Sequence, residues 1–297
     1  MTLNKFYTRS AFASEVYGHD IVDLMALLDY KKCLLIEGAV GTGKTFTAKR
    51  LAWAKCGEIN VENILYIKMN DGITYEDMMV STVKEIDPVK KVERNVIKYG
   101  LFADFCIKAS NKKDAEFFVI LDDIDKCDIR KVFGTALGFF EKSCRNELFI
   151  PQKSKKPIGI PSNLYIIATR NLPKQEDDVD YSLMRIFTHY KAEPAFKTGG
   201  FRTKLQGMDN TKMNKLVKVI MDMNEFIVSY EGLGEAYQIG HSYFCSSDSI
   251  SNQDVQNIAL TEIVPIIKSY WRNDKKTMDS WVNKVQVAVQ DMTQKRV

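Results

Sequence analysis

The eight residues GAVGTGKT, Gly38 to Thr45, constrain this chain more than any other feature. They match the pattern G-x-x-x-x-G-K-[ST] at every fixed position. An apolar run, CLLIEG (33–38), precedes them and a helical stretch, Thr45 to Lys55, comes after. Gly41 and Gly43 let the backbone wrap closely, with its N–H groups pointing inward at phosphate oxygens. The helix beyond the loop adds the positive end of its dipole. Lys44 is then placed to reach the β- and γ-phosphates, and the Thr45 hydroxyl to ligate Mg2+. The expected nucleotide-binding set is Gly38, Ala39, Val40, Gly41, Thr42, Gly43, Lys44, Thr45 and Phe46. The alternative is a glycine-rich turn with no ligand, and the complete pattern between correct flanks weighs against it.

Three more apolar runs recur along the chain: ILYIK (64–68), FFVILDD (117–123) and LYIIAT (164–169). Each is rich in branched or aromatic residues and reads as a strand buried on both faces. Strands alternating with helical patterns imply a parallel sheet with crossover helices on both of its faces. The expectation is an α/β nucleotide-binding domain over residues 1–194. After Pro194 the character changes: KTGGFR (197–202) is a break, and the chain beyond it has helical patterning. Leu216, Val219, Ile220, Met223, Phe226 and Ile227 recur at helical spacing, as do Val255, Ile258, Ala259, Ile263 and Ile266. Pro265 should kink or shorten that second helix. Residues 195–297 therefore read as a smaller helical domain.

FFVILDDID places Asp122 and Asp123 at the end of a buried strand, downstream of the phosphate loop. A P-loop enzyme needs one acid there for the magnesium shell and a neighbour to polarise the attacking water. Asp122 fits the first role and Asp123 the second. Two acids closing a strand are common in plain turns, but their place behind a phosphate loop favours the functional reading.

Composition narrows the setting. At 45% hydrophobic and 27% charged, the chain has material for a sizeable core. A net charge of +4 does not argue for nucleic acid, and Lys153, Lys155 and Lys156 in QKSKKP read as a solvated loop. Six cysteines with no CxxC pair suit a reducing compartment. The three histidines lack metal-ligand spacing. No signal peptide and no membrane-spanning run is visible, so a cytoplasmic protein without membrane contact is expected.

The segments GAVGTGKTFTAKRLA, LDDIDKCDIRKVFG, IPSNLYIIATRN, VDYSLMRIF and LGEAYQIGHSYFC occur in the order and spacing of McrB-type AAA+ proteins. The chain resembles that family from about residue 30 to about 272. KVFG and GHSYF are more family-specific than the phosphate loop itself. The resemblance implies a GTP-hydrolysing motor subunit of a modification-dependent restriction system, with a helical lid. Its partners would be GTP or ATP, further copies of itself in a ring (a hexamer by resemblance) and an McrC-like nuclease subunit. Contact with DNA would be indirect or through that partner.

Residue by residue, the resemblance gives Lys44 and Thr45 the phosphate and magnesium contacts, and Asp122 the metal-shell role. Asp123 falls where the family has its catalytic glutamate. Asn171 falls where a polar residue senses the γ-phosphate, and Arg185 in the region that serves a neighbouring subunit's nucleotide. GHSYF, Gly240 to Phe244, falls where the lid closes on the nucleotide; His241 and Tyr243 are left open between packing and function.

The chain also departs from the family. RNLPKQED stands where M-N-T-x-D-R-S is usual, D-D-I-D replaces D-E-I-N, and Arg185 is alone where relatives carry several arginines. These changes lie near the catalytic water and imply weakened hydrolysis. A hydrolysis-deficient nucleotide-binding scaffold or regulatory subunit is therefore the alternative to a motor. Only about 32 residues precede the first strand, too few for a DNA-recognition module, so the expectation is a motor-only form or one whose recognition of modified DNA is delegated to a partner chain. A small-molecule P-loop kinase is disfavoured by the helical domain and GHSYF.

Overall fold

The computed structural model describes residues 6–59, 62–86, 91–173, 181–245 and 249–290. Its strands, in chain order, are β1 (Cys33–Gly38), β2 (Ile64–Lys68), β3 (Val80–Ile86), β4 (Glu93–Tyr99), β5 (Phe117–Asp122), β6 (Leu148–Phe149), β7 (Ile158–Gly159), β8 (Leu164–Asn171) and β9 (Thr188–Ala192). FFVILD offers water no polar side chain before its last residue, and every residue of β5 is buried. Such a strand must have sheet neighbours on both edges and cover on both faces. It lies second in a parallel five-stranded sheet of order β2-β5-β8-β1-β9. The register sets Lys68 of β2 opposite Asp122, and Leu121 opposite Ala168 of β8. The four apolar runs thus form four strands of this sheet.

β2 is an edge strand with only Ile67 buried, so its polar and aromatic side chains stay near the sheet's rim. The fifth strand, β9, reads THYKA and shows no apolar run. In the antiparallel hairpin β3–β4 only Val80 is buried and the other positions are half-buried or exposed, so it too leaves no clear sequence signal. One hydrophobic core ties the sheet to its helices, with Phe102, Phe133 and Phe140 packed ring to ring at 5.1–5.3 Å. Each such ring contributes about 1.5–3 kcal/mol by leaving water.

The chain divides into two compact units. The first comprises residues 1–37, 44–171 and 179–191; the second comprises 38–43, 172–178 and 192–297. In the second, the helix Thr211–Ser229 is capped by the Asn210 side chain, which accepts from the Met213 N–H at 3.0 Å. Its buried stripe is Met213, Leu216, Val217, Ile220, Met223, Asn224 and Ile227, with Val219 and Phe226 on the flanks. Asn224 is buried because its amide serves both the N–H and the carbonyl of Ile239, at 2.7 and 2.9 Å.

The second apolar periodicity is broken where Pro265 requires. Helix Asn252–Asn257 widens into a π-helical turn, Ile258–Ile263, before helix Val264–Tyr270 opens with the proline in its first turn. A proline has no N–H for the ladder, and the first turn of a helix is where that loss is tolerated. The closing helix, Lys275–Val289, packs on Thr211–Ser229, and Phe226, Trp271 and Trp281 meet there with ring centroids 5.6–6.5 Å apart.

No helix among the described residues is long and apolar enough to cross a membrane. All six cysteines are free. In the QKSKKP loop Lys153 pairs with Glu76 at 2.5 Å, while Lys155 and Lys156 face water.

Candidate nucleotide site

The phosphate loop leaves β1 at Gly38 and enters helix Lys44–Cys56 at its other end. Gly41 and Gly43 both sit in the left-handed region, at φ 79° and 80°. A side chain at either would be strained, which accounts for glycine at both. Within the loop the buried Thr42 hydroxyl donates to the Ala39 carbonyl at 2.9 Å and braces the turn. Val40 is exposed.

The GHSYF segment packs directly on this loop, inside the same compact unit. The Gly240 N–H donates to the Val40 carbonyl at 3.1 Å, and the Ser242 N–H to the Gly41 carbonyl at 2.9 Å. The backbones approach so closely that a Cβ on Gly240 would stand 1.9 Å from the Gly41 carbonyl carbon. His241 is buried; its Nδ1 accepts from the Ala195 N–H at 3.1 Å, so its neutral tautomer carries the proton on Nε2. That Nε2 stands 3.8 Å from where a Cβ on Gly43 would be. The Tyr243 ring covers Gly41.

In the first unit, Lys44, Thr45, Asp122 and Asp123 converge. Lys44 is buried, and burial holds its ammonium below the ordinary lysine range; Asp123, Asp125 and Asp122 oppose that shift. Asp122 is only 1% exposed. Its Oδ1 accepts from the Thr45 hydroxyl at 2.5 Å and from the Thr169 hydroxyl at 2.7 Å. Its Oδ2 accepts from the Tyr66 hydroxyl at 2.8 Å. Burial and the Asp122 hydrogen bond push the Tyr66 phenol up to about 12, which keeps it a donor. Asp123 comes directly after β5 in the left-handed region, φ 58° and ψ 53°. Its N–H donates to Thr169 Oγ1 at 3.0 Å, and its carboxylate lies 3.5 Å from Lys68 Nζ. Thr169 thus binds both acids, one by its proton and one by its lone pair.

The other expected site residues have their own partners. Asn171, at the end of β8, meets Asp125 through its backbone N–H at 3.4 Å and its amide at 3.5 Å. Arg185 is 80% exposed at the side chain, and its guanidinium is engaged by Glu141 at 3.0 Å. Lys31 donates to the carbonyls of Met184, Arg185 and Phe187 at 3.0–3.1 Å, fixing the helix end that carries it. The Phe46 ring lies 3.7 Å beneath the Arg50 guanidinium. Residues 174–177, the end of the RNLPKQED segment, lie outside the described residues.

Sequence reasoning missed Tyr66, Lys68, Thr169 and a partly buried cluster at the neighbouring strand ends. Glu37, which precedes Gly38, receives Arg170 Nη2 and Nε at 2.7 and 2.8 Å, with His189 Nδ1 at 3.4 Å. Arg170 in turn precedes Asn171. The signal available was a charged pair, Glu37 and Arg170, at the ends of two otherwise apolar strands.

Comparison with known proteins places these features. The family model described as AAA domain (dynein-related subfamily) matches residues 33–187. That of the McrB alpha-helical lid domain matches residues 215–279. The Type IV methyl-directed restriction enzyme EcoKMcrB subunit of Escherichia coli (strain K12) is 29% identical over 279 residues, or 89% of this chain and 59% of its own length. The chain thus spans less than two thirds of that relative.

Proposed function

The chain belongs to the dynein-related AAA family, in its McrB-type form with an α-helical lid, and from that premise we propose a nucleoside-triphosphate-binding and hydrolysing subunit that prefers GTP. It would assemble as a ring, a hexamer on the family pattern, and drive a nuclease subunit of McrC type. The nucleotide domain would extend over residues 1–194 and the lid over 195–297. The observation that carries the reading is the contact of Thr45 with the buried Asp122, which joins the phosphate loop's helix to the end of β5.

Magnesium fits the donors found there. A hydroxyl and a carboxylate are hard oxygen ligands, and Mg2+ is commonly held by one or two protein oxygens while phosphates and water complete its shell. Thr45 and Asp122 would hold it; when bound, it supplies charge neutralisation at the β- and γ-phosphate oxygens. The remaining work falls to the chain's own groups. Loop N–H groups and Lys44 bind the phosphates, and pairing of the buried ammonium with a phosphate offsets its desolvation. The Asp123 carboxylate takes a proton from the attacking water, and Asn171 orients that water. Arg185 offers its guanidinium to a neighbouring subunit's transition state, for which release from Glu141 is needed.

A hydrolysis-deficient scaffold is the second reading. It is favoured by the Lys68 ammonium beside Asp123, which is itself one methylene shorter than glutamate. Hydrolysis of GTP and ATP by the purified chain, with and without Mg2+ and with Lys44→Ala as blank, separates the two. Magnesium-dependent turnover of GTP over ATP, abolished in the variant, is expected. Binding without turnover of either nucleotide selects the scaffold, and normal binding by Lys44→Ala refutes the phosphate site.

A further inference from the structure

Asp122 is unusual in how fully its carboxylate is claimed. Three hydroxyls donate to it, and each arrives from a different element: Thr45 from the helix after the phosphate loop, Thr169 from β8 and Tyr66 from β2. The first two share Oδ1. Oδ2 has the Tyr66 proton, at 2.8 Å. Tyr66 lies on the sheet's edge strand with 39% of its surface exposed, so its hydroxyl had water within reach and nonetheless meets a buried carboxylate. The ring is held as well: Lys49, one helical turn beyond Thr45, places its ammonium 3.7 Å from the ring centroid. A cation over the π face restrains the ring and favours proton donation from its hydroxyl.

We propose that Tyr66 is a positioning residue for the metal shell, fixing the carboxylate plane of Asp122 through Oδ2 so that Asp122 and Thr45 present their oxygens to Mg2+ in one orientation. Two donors on Oδ1 anchor that oxygen but leave Oδ2 able to swing about it through coupled changes of the two side-chain torsions. A third on Oδ2 removes that freedom. Partners behind a metal ligand typically change metal affinity or activity about 10–100-fold when removed. The inference rests on the magnesium reading of Thr45 and Asp122, and adds a residue that this reading does not contain.

Tyr66→Phe deletes the hydroxyl and leaves the ring under Lys49. The test titrates Mg2+ into the purified chain and tracks binding of a fluorescent GTP or ATP analogue, wild type against Tyr66→Phe, with thermal unfolding as a fold control. Half-saturating Mg2+ should rise about tenfold in the variant. Affinity in the absence of Mg2+ should be unchanged, and the nucleotide-free chain should still unfold in one transition, with its melting temperature lowered only by the lost hydrogen bond. An unchanged or lowered Mg2+ requirement overturns the proposal. So does an equal loss of binding without Mg2+, which would make Tyr66 a packing residue. If wild-type binding ignores Mg2+ altogether, the magnesium reading itself fails, and the Tyr66 proposal with it.

Discussion

Glu37 and Arg170 form a largely buried ion pair, with side chains 16% and 7% exposed, between residues that directly precede Gly38 and Asn171. Glu37→Gln keeps the shape and removes the charge, leaving the Arg170 guanidinium in the interior without a carboxylate. Breaking a buried pair from one side costs about 3–5 kcal/mol, and the remaining amide oxygen argues for the lower end. At about 2–4 °C per kcal/mol for a domain of this size, 3 kcal/mol predicts a fall in Tm of roughly 6–12 °C. Thermal unfolding of Glu37→Gln, Arg170→Met and the double variant tests the cause. The double variant contains no stranded charge and should be markedly more stable than the sum of the two losses. Strict additivity would refute the argument. Acid gives a second check. Burial alone would raise the Glu37 carboxyl, but the hydrogen bonds from His189 and Arg170 outweigh it and hold it below the ordinary range. A value lower in the folded chain than in the unfolded one stabilises above the unfolded value, about 4.3. That stability is lost as pH falls through the lower folded value. The gap in Tm between wild type and Glu37→Gln should therefore begin to narrow below about pH 4.3 and close only below the lower folded value.

The remaining predictions concern the Arg185 side chain and the Gly240 contact. Arg185→Ala should bind nucleotide as wild type does yet lose about 10³-fold or more in turnover, as for other arginines acting across an interface. Mixing it with Asp123→Asn subunits should restore part of the activity, and a matching loss of binding would show that Arg185 is structural. Gly240→Ala puts a methyl 1.9–2.0 Å from the Gly41 carbonyl group, so both Tm and nucleotide affinity should fall. Wild-type values for the pair would mean that the backbone contact of GHSYF with the phosphate loop does not hold.

The sequence reveals those parts of this site that the chain carries locally, and hides those that strand register brings together. The phosphate loop and the strand ending at Asp122 are contiguous patterns, so Lys44, Thr45, Asp122 and Asp123 can be named from the sequence alone. The helical stripe from Met213 to Ile227 is contiguous in the same sense, and it lies within a residue or two of its expected place. Thr169 looks like any strand threonine until β8 is set beside β5, where one hydroxyl serves both acids. Tyr66 and Lys68 are the alternate residues of an edge strand, and only the pairing of Lys68 with Asp122 turns them toward the acids. Glu37 and Arg170 lie 133 positions apart and read singly as strand-end charges. The surroundings of the two acids have the same character. A threonine, a tyrosine and a lysine from neighbouring strands meet the two carboxylates of D-D-I-D. Hydrolytic competence therefore cannot be judged from the acids alone. Asp123 is short, but its backbone is held left-handed with its N–H tied to Thr169, and that fixed geometry determines how far its carboxylate reaches toward water.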